Sequence, residues 1–228
     1  MGMGVIAGVA FGAVSASAFG PYQTGTVGYD VSYPNCGATA SGTFAIVGVN
    51  GGRPFSNNSC FQAEYAAAPQ SPAPSLYMNT GYSGAYRRNI TANCSSQSTH
   101  VAGTSAQRQA WAIGCSEAET SLAYAQKAAS MLWLDVETGN SWSSSNLSLN
   151  RATIQGAVSR LLAANPEVGV YSTGSMWSTI TGGSWSPTNV AGDWVAGASC
   201  STASAFMPGT TVWLAQTTSG SIDYDTAC

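Results

Sequence analysis

The sequence places its scarce acidic side chains at the ends of short apolar runs. Asp30 ends the first such run, Asp135 and Glu137 lie in LWLDVE, and Asp223 follows the last run. Only 7% of the chain is Asp, Glu, Lys or Arg, so carboxylates beside buried segments are candidates for chemistry. Paired carboxyl groups suit the hydrolysis of a glycosidic bond, because one acid protonates the leaving oxygen while the second supports the sugar cation or the water.

The spacing of Asp135 and Glu137 fits this chemistry. On a β-strand, residues two apart point to the same side at a spacing of about 6.5–7 Å. Glycosidases use carboxyl groups about 5–9.5 Å apart. One ionised carboxylate also raises the pKa of its neighbour, which keeps a proton available for donation. A closed barrel brings its first and last strands together, so Asp30 and Asp223 are expected at the same rim.

The elements that must position these acids alternate between short apolar segments and helical patterns. Strands are predicted over 26–31, 44–50, 75–80, 131–136, 168–172, 194–198 and 211–216. Because most are apolar on both faces, they indicate a parallel sheet covered by helices. The predicted fold class is therefore α/β, a single (β/α) TIM-like barrel. The helical pattern fades after Tyr171, so the late helices are expected to be short or missing.

Three helices are predicted between the strands. The first covers 60–68. The second begins at Ser116, because Ser116 and Glu119 have the spacing of a capping box. The third runs from about Asn150 to Ala164, where Asn165-Pro166 stops it.

The charge balance excludes one class of partner. The net charge is −3 and only seven residues are Lys or Arg, whereas nucleic-acid binding needs clustered basic side chains. The sequence has no cofactor motif, and with His100 as its single histidine no metal site is expected. A monomer without stable membrane insertion is predicted.

Two features indicate export. Residues 1–18 resemble the remnant of a signal peptide, since an apolar run ends in the small residues Ala16-Ser17-Ala18. The barrel domain is then 19–228, and a secreted, extracellular location is expected. The six cysteines are even in number and widely spaced, which suits disulfides. Many pairings are open, and the sequential one is preferred because it closes three local loops: Cys36–Cys60, Cys94–Cys115 and Cys200–Cys228.

The order of several short motifs resembles that of the glycoside hydrolase family 25 (GH25) lysozymes, the Chalaropsis-type N-acetylmuramidases. Gly28-Tyr29-Asp30-Val31-Ser32 is similar to the G-x-D-x-S of their first strand. Asp135-Val136-Glu137 is similar to the D-x-E of their fourth strand. Near the end, the segments 213–218 and 222–225 stand where that family has W-Q-[YF]-[TS] and a final acidic residue.

The resemblance implies a β/α barrel that cleaves the β-1,4 bond after N-acetylmuramic acid in peptidoglycan or another cell-wall polysaccharide. It implies Glu137 as the proton donor and Asp135 as the group that orients the acetamido group or steadies the cation. Asp30 and Asp223 would flank the site. Polar and aromatic residues near strand ends are expected to bind the glycan, since aromatic rings stack on sugars. These are Asn50, Tyr77, Asn79, Tyr171, Trp177, Trp194 and Gln216.

The sequence departs from that family at three places. Val49-Asn50-Gly51-Gly52 lacks the acidic residue usual near strand two, and Tyr77-Met78-Asn79-Thr80 replaces a Y-H-F pattern. Asp225 stands where asparagine is usual. These departures favour a divergent branch and leave two alternatives open. One is a catalytically inactive glycan-binding protein on the same barrel, and the other is a chitinase-like hydrolase of family 18.

Overall fold

A closed barrel of eight strands forms the centre of the molecule in the computed structural model, which describes residues 20–228. The predicted signal-peptide remnant, residues 1–18, lies outside the described residues. The strands are β1 (Val27–Val31), β2 (Ala45–Gly48), β3 (Ser75–Asn79), β4 (Leu132–Asp135), β5 (Val168–Ser172), β6 (Asp193–Ala196), β7 (Val212–Ser219) and β8 (Ile222–Ala227). They follow one another round the barrel in chain order, so the predicted barrel class is confirmed.

The last strand was not predicted. β1 to β7 pair in parallel, but β8 runs antiparallel to both β7 and β1 and closes the barrel between them. A tight hairpin with Gly220 at φ 66° joins β7 to β8. The last predicted strand, 211–216, belongs to β7 and does not pair with β1, because β8 lies between them. The sequence of β8, IDYDTA, carries too few apolar residues to indicate a strand.

The helices lie outside the barrel, mainly between β2 and β6. They are α1 (Phe61–Ala67), α2 (Ala92–Ser98), α3 (Ser105–Ala125), α4 (Leu147–Leu162) and α5 (Gly174–Thr181), with 3₁₀ turns at Tyr33–Asn35 and Gly84–Asn89. No helix separates β6 from β7, as expected for the late connections. The connection from β1 to β2 also has only a 3₁₀ turn, which was not predicted. Among residues 20–228, none of the helices has the length and hydrophobicity of a membrane-spanning segment.

The predicted start of the second helix was wrong. α3 begins at Ser105, and Thr104 caps it with Gln107 in a reciprocal capping box. Ser116 lies buried in the middle of α3, where its hydroxyl donates to the carbonyl oxygen of Ala112 at 2.7 Å. A serine can satisfy its hydroxyl in this way inside a helix, so the capping spacing at Ser116 and Glu119 was coincidental.

All six cysteines are paired, and the pairing is the sequential one. Cys36–Cys60 ties the loop after β1 to the start of α1, and Cys94–Cys115 ties α2 to α3. Cys200–Cys228 ties the loop after β6 to the residue that follows β8. Each bond fastens an outer segment or the closing strand to its neighbour.

The core has two layers. Outside the barrel, aliphatic strand residues pack against α1, α3 and α4. Inside the barrel, large aromatic side chains fill the space, with Trp133 at the centre. The ring of Trp133 fits because residue 169 is glycine; a β-carbon there would lie 2.2 Å from the ring. Tyr22 closes the lower end, where Trp133 Nε1 donates to its hydroxyl at 2.9 Å. Above this filled interior, a pocket opens at the upper rim.

A close crossing of α3 and α4 supports the β4 side of the barrel and gives a first prediction. A β-carbon at Gly156 would lie 2.0 Å from the backbone oxygen of Trp111. We therefore expect Gly156→Ala to lower the free energy of unfolding by about 1–3 kcal/mol through overpacking, although alanine normally favours a helix interior by about 1 kcal/mol. Urea denaturation of the purified protein measures the change.

Gly84→Ala is the matched control, because a β-carbon at Gly84 would meet nothing within 4 Å. The control is expected to unfold like the parent. Equal stability of Gly156→Ala and the parent would contradict the tight crossing.

Candidate active site

The four predicted catalytic acids meet at one end of the barrel. Asp30 lies in β1, Asp135 ends β4, and Glu137 follows two residues later. The C-terminal ends of parallel strands form one rim of such a barrel. Because β8 is antiparallel, Asp223 near its start lies at this same rim, where it pairs directly with Asp30.

A pocket of about 110 Å³ opens at this rim. It is lined by Asp30, Tyr77, Asp135, Glu137, Tyr171, Trp194, Gln216 and Asp223. The structure thus brings together all four predicted acids and four of the predicted glycan-binding residues. Asp30 and Asp135 are buried at its base, whereas Glu137 and Asp223 are half-buried at its mouth. The chemical roles of these residues stay predictions.

Asp135 is a buried carboxylate with few partners. Asn79 donates its side-chain amide to Asp135 Oδ2 across the β3–β4 pair. Asp135 Oδ1 receives no hydrogen bond from the described residues. Burial, followed by the charges of Glu137 and Asp30, raises the pKa of Asp135 well above its usual range. Asp135 therefore places a buried carboxyl group, with one oxygen that the described residues leave unpartnered, in the lining of the pocket.

Glu137 occupies the mouth of the pocket. Burial raises its pKa, and the charge of Asp223 adds to this, while a hydrogen bond with Tyr171 acts in the opposite direction. Trp142 Nε1 donates to the backbone oxygen of Glu137 at 2.7 Å and fixes the chain just beyond β4. A half-exposed carboxyl group with a raised pKa can hold a proton near neutral pH and still reach a ligand.

A chain of hydrogen bonds crosses the base of the pocket. The Tyr171 hydroxyl donates to Gln216 Oε1 at 2.8 Å, and Gln216 Nε2 donates to Asp30 Oδ2 at 2.8 Å. Burial nevertheless raises the pKa of Asp30 to about 7, despite the bond from Gln216. Gln216 therefore fixes the position of Asp30 and links it to the tyrosine that contacts Glu137.

Three aromatic side chains complete the base. The Trp194 ring packs edge-on against Tyr171 and Tyr77, with centroid distances of 4.5 and 6.0 Å. Trp194 is only 1% exposed, so it supports the pocket from below and offers little surface to a sugar. Tyr77 and Tyr171 are partly exposed and line the pocket beside the acids.

Two predicted glycan-binding residues lie elsewhere. Asn50 is 1% exposed, and its side-chain amide exchanges hydrogen bonds with the backbone of Asn79 at 3.1 and 3.2 Å. It therefore holds the ends of β2 and β3 together. Trp177 is fully buried on α5, where its Nε1 donates to the backbone oxygen of Trp185. The structure thus places both side chains inside the protein, away from the pocket, with their polar groups bonded to the backbone.

Asn79 has a different place from the one predicted. It is buried outside the pocket lining, and its amide is engaged by Asp135. It positions an acid and does not face the open space. The Asn79 amide occupies Asp135 Oδ2, so Oδ1 is the oxygen of that carboxyl group to which no described residue donates.

Asp225 is the site residue that sequence reasoning missed. It is fully buried on β8, where burial and the nearby charge of Asp30 raise its pKa well above the usual range. The signal was present in the sequence, because Asp223 and Asp225 have the same two-residue spacing as Asp135 and Glu137. Without a predicted strand at 222–227, that spacing could not be converted into a common face.

The site holds no arrangement suited to a metal. Within residues 20–228, no group of three or more His, Cys, Asp or Glu side chains has metal-binding geometry. The pocket lining also contains no Lys or Arg. The side chains that line it carry carboxyl groups, two phenols, an amide and an indole.

Comparison with known proteins agrees with this geometry. The family described as lysozyme-like protein 1 matches residues 77–202, which is more than half of the chain. The chain belongs to this lysozyme-like family. The matched region contains Asp135 and Glu137 but ends before Asp223. No curated protein matches the sequence.

Solved structures share the barrel at low sequence identity. A muramidase from Acremonium alcalophilum is 16% identical, with a TM-score of 0.61 over 89% of this chain and 93% of that one. A family GH25 lysozyme from Aspergillus fumigatus is 15% identical, with a TM-score of 0.60 over the same shares. A lysozyme from Streptomyces coelicolor is 17% identical, with a TM-score of 0.55 over 90% and 93%.

The family match and the shared barrel confirm the prediction of a divergent member resembling the GH25 lysozymes. They also support the predicted enzyme class, a glycoside hydrolase. The identities of 15–17% explain why only short motifs, in their order, carried the resemblance in the sequence.

The buried acids give a second prediction, on the pH dependence of stability. The raised pKa values of Asp30, Asp135 and Glu137 mean that the folded state binds protons that the unfolded state has released. Their contribution to stability is complete below the usual carboxyl pKa of about 4 and is lost as the pH rises through the raised values. We expect the melting temperature to fall between about pH 5 and pH 8, as calorimetry can measure.

Asp30→Asn should flatten this decline. Glu119→Gln is the control with the opposite sign. Burial of Glu119 is outweighed by hydrogen bonds from Thr91 and Asn93 and by the charge of Arg160, so its pKa is lowered. Its contribution is present at neutral pH and is lost on acidification. A parent protein that is more stable at pH 8 than at pH 5 would contradict the raised pKa values of the buried acids.

Proposed function

We propose that this protein is a secreted glycoside hydrolase that cleaves β-1,4 bonds of cell-wall peptidoglycan by carboxylate acid–base chemistry. The observation that supports this proposal most directly is the position of Glu137. It is a half-buried acid with a raised pKa at the mouth of a pocket that further carboxyl groups line. The membership of a lysozyme-like family and the barrel shared with muramidases support this substrate class.

Glu137 is the proton donor in this proposal. Leaving-group protonation needs an acid that keeps its proton near neutral pH and reaches the glycosidic oxygen. Burial and the nearby charge of Asp223 raise the pKa of Glu137 in the required direction. Tyr171, whose hydroxyl donates to Gln216, lines the pocket beside Glu137.

Asp135 supports the reacting sugar. Its Oδ2 is held by Asn79 and its carboxyl group lines the pocket, so in this proposal it orients the acetamido group or faces the developing cation. Asp30 and Asp223 flank the reaction centre with further negative charge. In a pocket without basic residues, such carboxylates favour a cationic transition state.

Export is the remaining part of the proposal. Three disulfides lie within residues 20–228, and paired cysteines persist in oxidising compartments. A wall polymer is also reached only outside the cytoplasm. A monomer is proposed, since the barrel and its pocket are complete within one chain.

The third prediction tests the proton donor. Glu137→Gln keeps the shape of the side chain but removes its proton, so we expect turnover to fall at least about 100-fold while folding and glycan binding persist. Reducing-end release and turbidity loss of purified cell walls measure turnover, and co-sedimentation with the walls measures binding. Glu167→Gln is the matched control, because Glu167 directly precedes β5 at the opposite end of the barrel.

The outcomes separate the proposal from its alternatives. Parental turnover in Glu137→Gln would refute its role as the acid. Saturable wall binding without turnover in the parent would instead favour an inactive glycan-binding protein. Chitin oligomers tested beside peptidoglycan distinguish a chitinase-like specificity.

A further inference from the structure

Asp225 lies beneath the pocket with one oxygen satisfied and one without a donor. It is fully buried on β8. Trp194 Nε1 donates to Asp225 Oδ1 at 2.8 Å. No N–H or hydroxyl group of the described residues donates to Asp225 Oδ2. An ionised carboxylate left in this state would be costly, because a buried charge needs compensating partners.

The neighbour of Asp225 is another carboxyl group. Asp30 pairs with Asp223 across β1 and β8, and Asp225 lies two residues further along β8 on the same face. The carboxyl groups of Asp225 and Asp30 are diagonal neighbours on that face, which places them to share a hydrogen bond. Since a carboxylate can only accept, such a bond requires a proton on one of the two.

Neither the pocket lining above the pair nor Tyr22, whose pKa is raised by burial and also by the charge of Asp225, offers a positive charge to balance the two carboxyl groups. The ionisable groups that line the pocket are Asp30 from β1, Tyr77 from β3, Asp135 and Glu137 from β4 and its end, Tyr171 from β5, and Asp223 from β8. None is basic. A shared proton is the available means of avoiding two adjacent buried charges.

The proton belongs on Asp225. Asp30 already accepts the amide of Gln216 and lines the pocket, so it has both a donor and access to the open space. Asp225 has neither access nor a donor at Oδ2. We propose that Asp225 is a neutral carboxylic acid whose Oδ2–H donates to Asp30, and that it acts as a positioning residue keeping Asp30 ionised and aimed into the pocket.

The pKa directions agree with this arrangement. Burial and the charge of Asp30 raise the pKa of Asp225 well above its usual range. The bond from Asp225 acts to lower the pKa of Asp30, against the larger effect of burial. The two groups titrate as a pair, so the site carries one negative charge where two carboxyl groups stand.

The proton can be observed directly. In the full chain carrying ¹³C-labelled aspartate carboxyl carbons, the Asp225 signal is identified by its loss in Asp225→Asn. We expect the Asp225 signal at the chemical shift of a neutral acid at about pH 7. Asp30 should lose its proton at a lower pH than Asp225 does. An Asp225 signal at the position of an ionised carboxylate at about pH 6 would overturn the proposal.

Two variants separate a hydrogen-bond donor from a space-filling side chain. Asp225→Asn keeps a donor toward Asp30 and an oxygen toward Trp194, whereas Asp225→Leu keeps only the volume. We expect the titration of Asp30 to stay near the parental pH in Asp225→Asn and to move up by at least about one pH unit in Asp225→Leu. Equal titration of Asp30 in the two variants would contradict donation by Asp225. If Asp225→Leu fails to fold, the parent and Asp225→Asn signals still decide the question.

Glu64→Gln is the matched control for loss of a buried carboxyl group. Glu64 lies on α1 outside the barrel, where it accepts a bond from Asn58 at 2.6 Å and leaves Oε1 without a donor. This variant should leave the titration of Asp30 unchanged. A shift equal to that in Asp225→Leu would show that the effect is not local to the pair.

The catalytic consequence rests on the proposed function and is tested apart from the titration. Wall hydrolysis should remain within about twofold of the parent in Asp225→Asn and fall at least about tenfold in Asp225→Leu. Absence of hydrolysis in the parent would refute the proposed function. It would not affect the proposal that Asp225 carries the proton, which the titration tests. Parental hydrolysis by Asp225→Leu would overturn the positioning role.

Discussion

The antiparallel pairing of β8 with β1 is the contact on which the site depends. Without β8, the parallel strands would leave an open edge at β1 and β7, and Asp30 would face water instead of a lined pocket. The reversed direction of β8 also decides where its acids lie. The start of this strand, with Asp223, meets the ends of the others, and Asp225 follows one step deeper. Closure of the sheet and assembly of the carboxyl groups are therefore one structural event.

The second constraint is electrostatic. The described part of the pocket gathers several acids and no basic side chain, so ionisation of each acid raises the pKa of the next. Amides from Asn79 and Gln216 and the indole of Trp194 provide the hydrogen bonds that a salt bridge would otherwise supply. Neutral donors hold the acids in place without cancelling their charge. This is the balance that a reaction with a cationic transition state requires.

The sequence predicted the barrel, the rim and the four acids, because strand ends and two-residue spacings are local signals. It did not predict β8, since only pairing on both sides makes a strand of IDYDTA. Asn50 and Trp177 were misplaced for a related reason. Whether an amide or an indole faces a ligand depends on partners that are distant in the chain, such as the backbone of Asn79 or of Trp185. Ser116 shows that a capping pattern can also arise inside a helix.

The bond between Cys200 and Cys228 links the redox state of two cysteines to the position of β8. Cys228 directly follows β8, and its partner lies in the loop after β6, on the far side of β7. The bond thus crosses the β7–β8 hairpin and holds the end of β8 against the barrel. Reduction would loosen the one strand that carries Asp223 and Asp225, whereas loss of Cys94–Cys115 would free only an outer helix. Reduction or oxidation of Cys200 and Cys228 is in this way coupled to the position of Asp223 and Asp225.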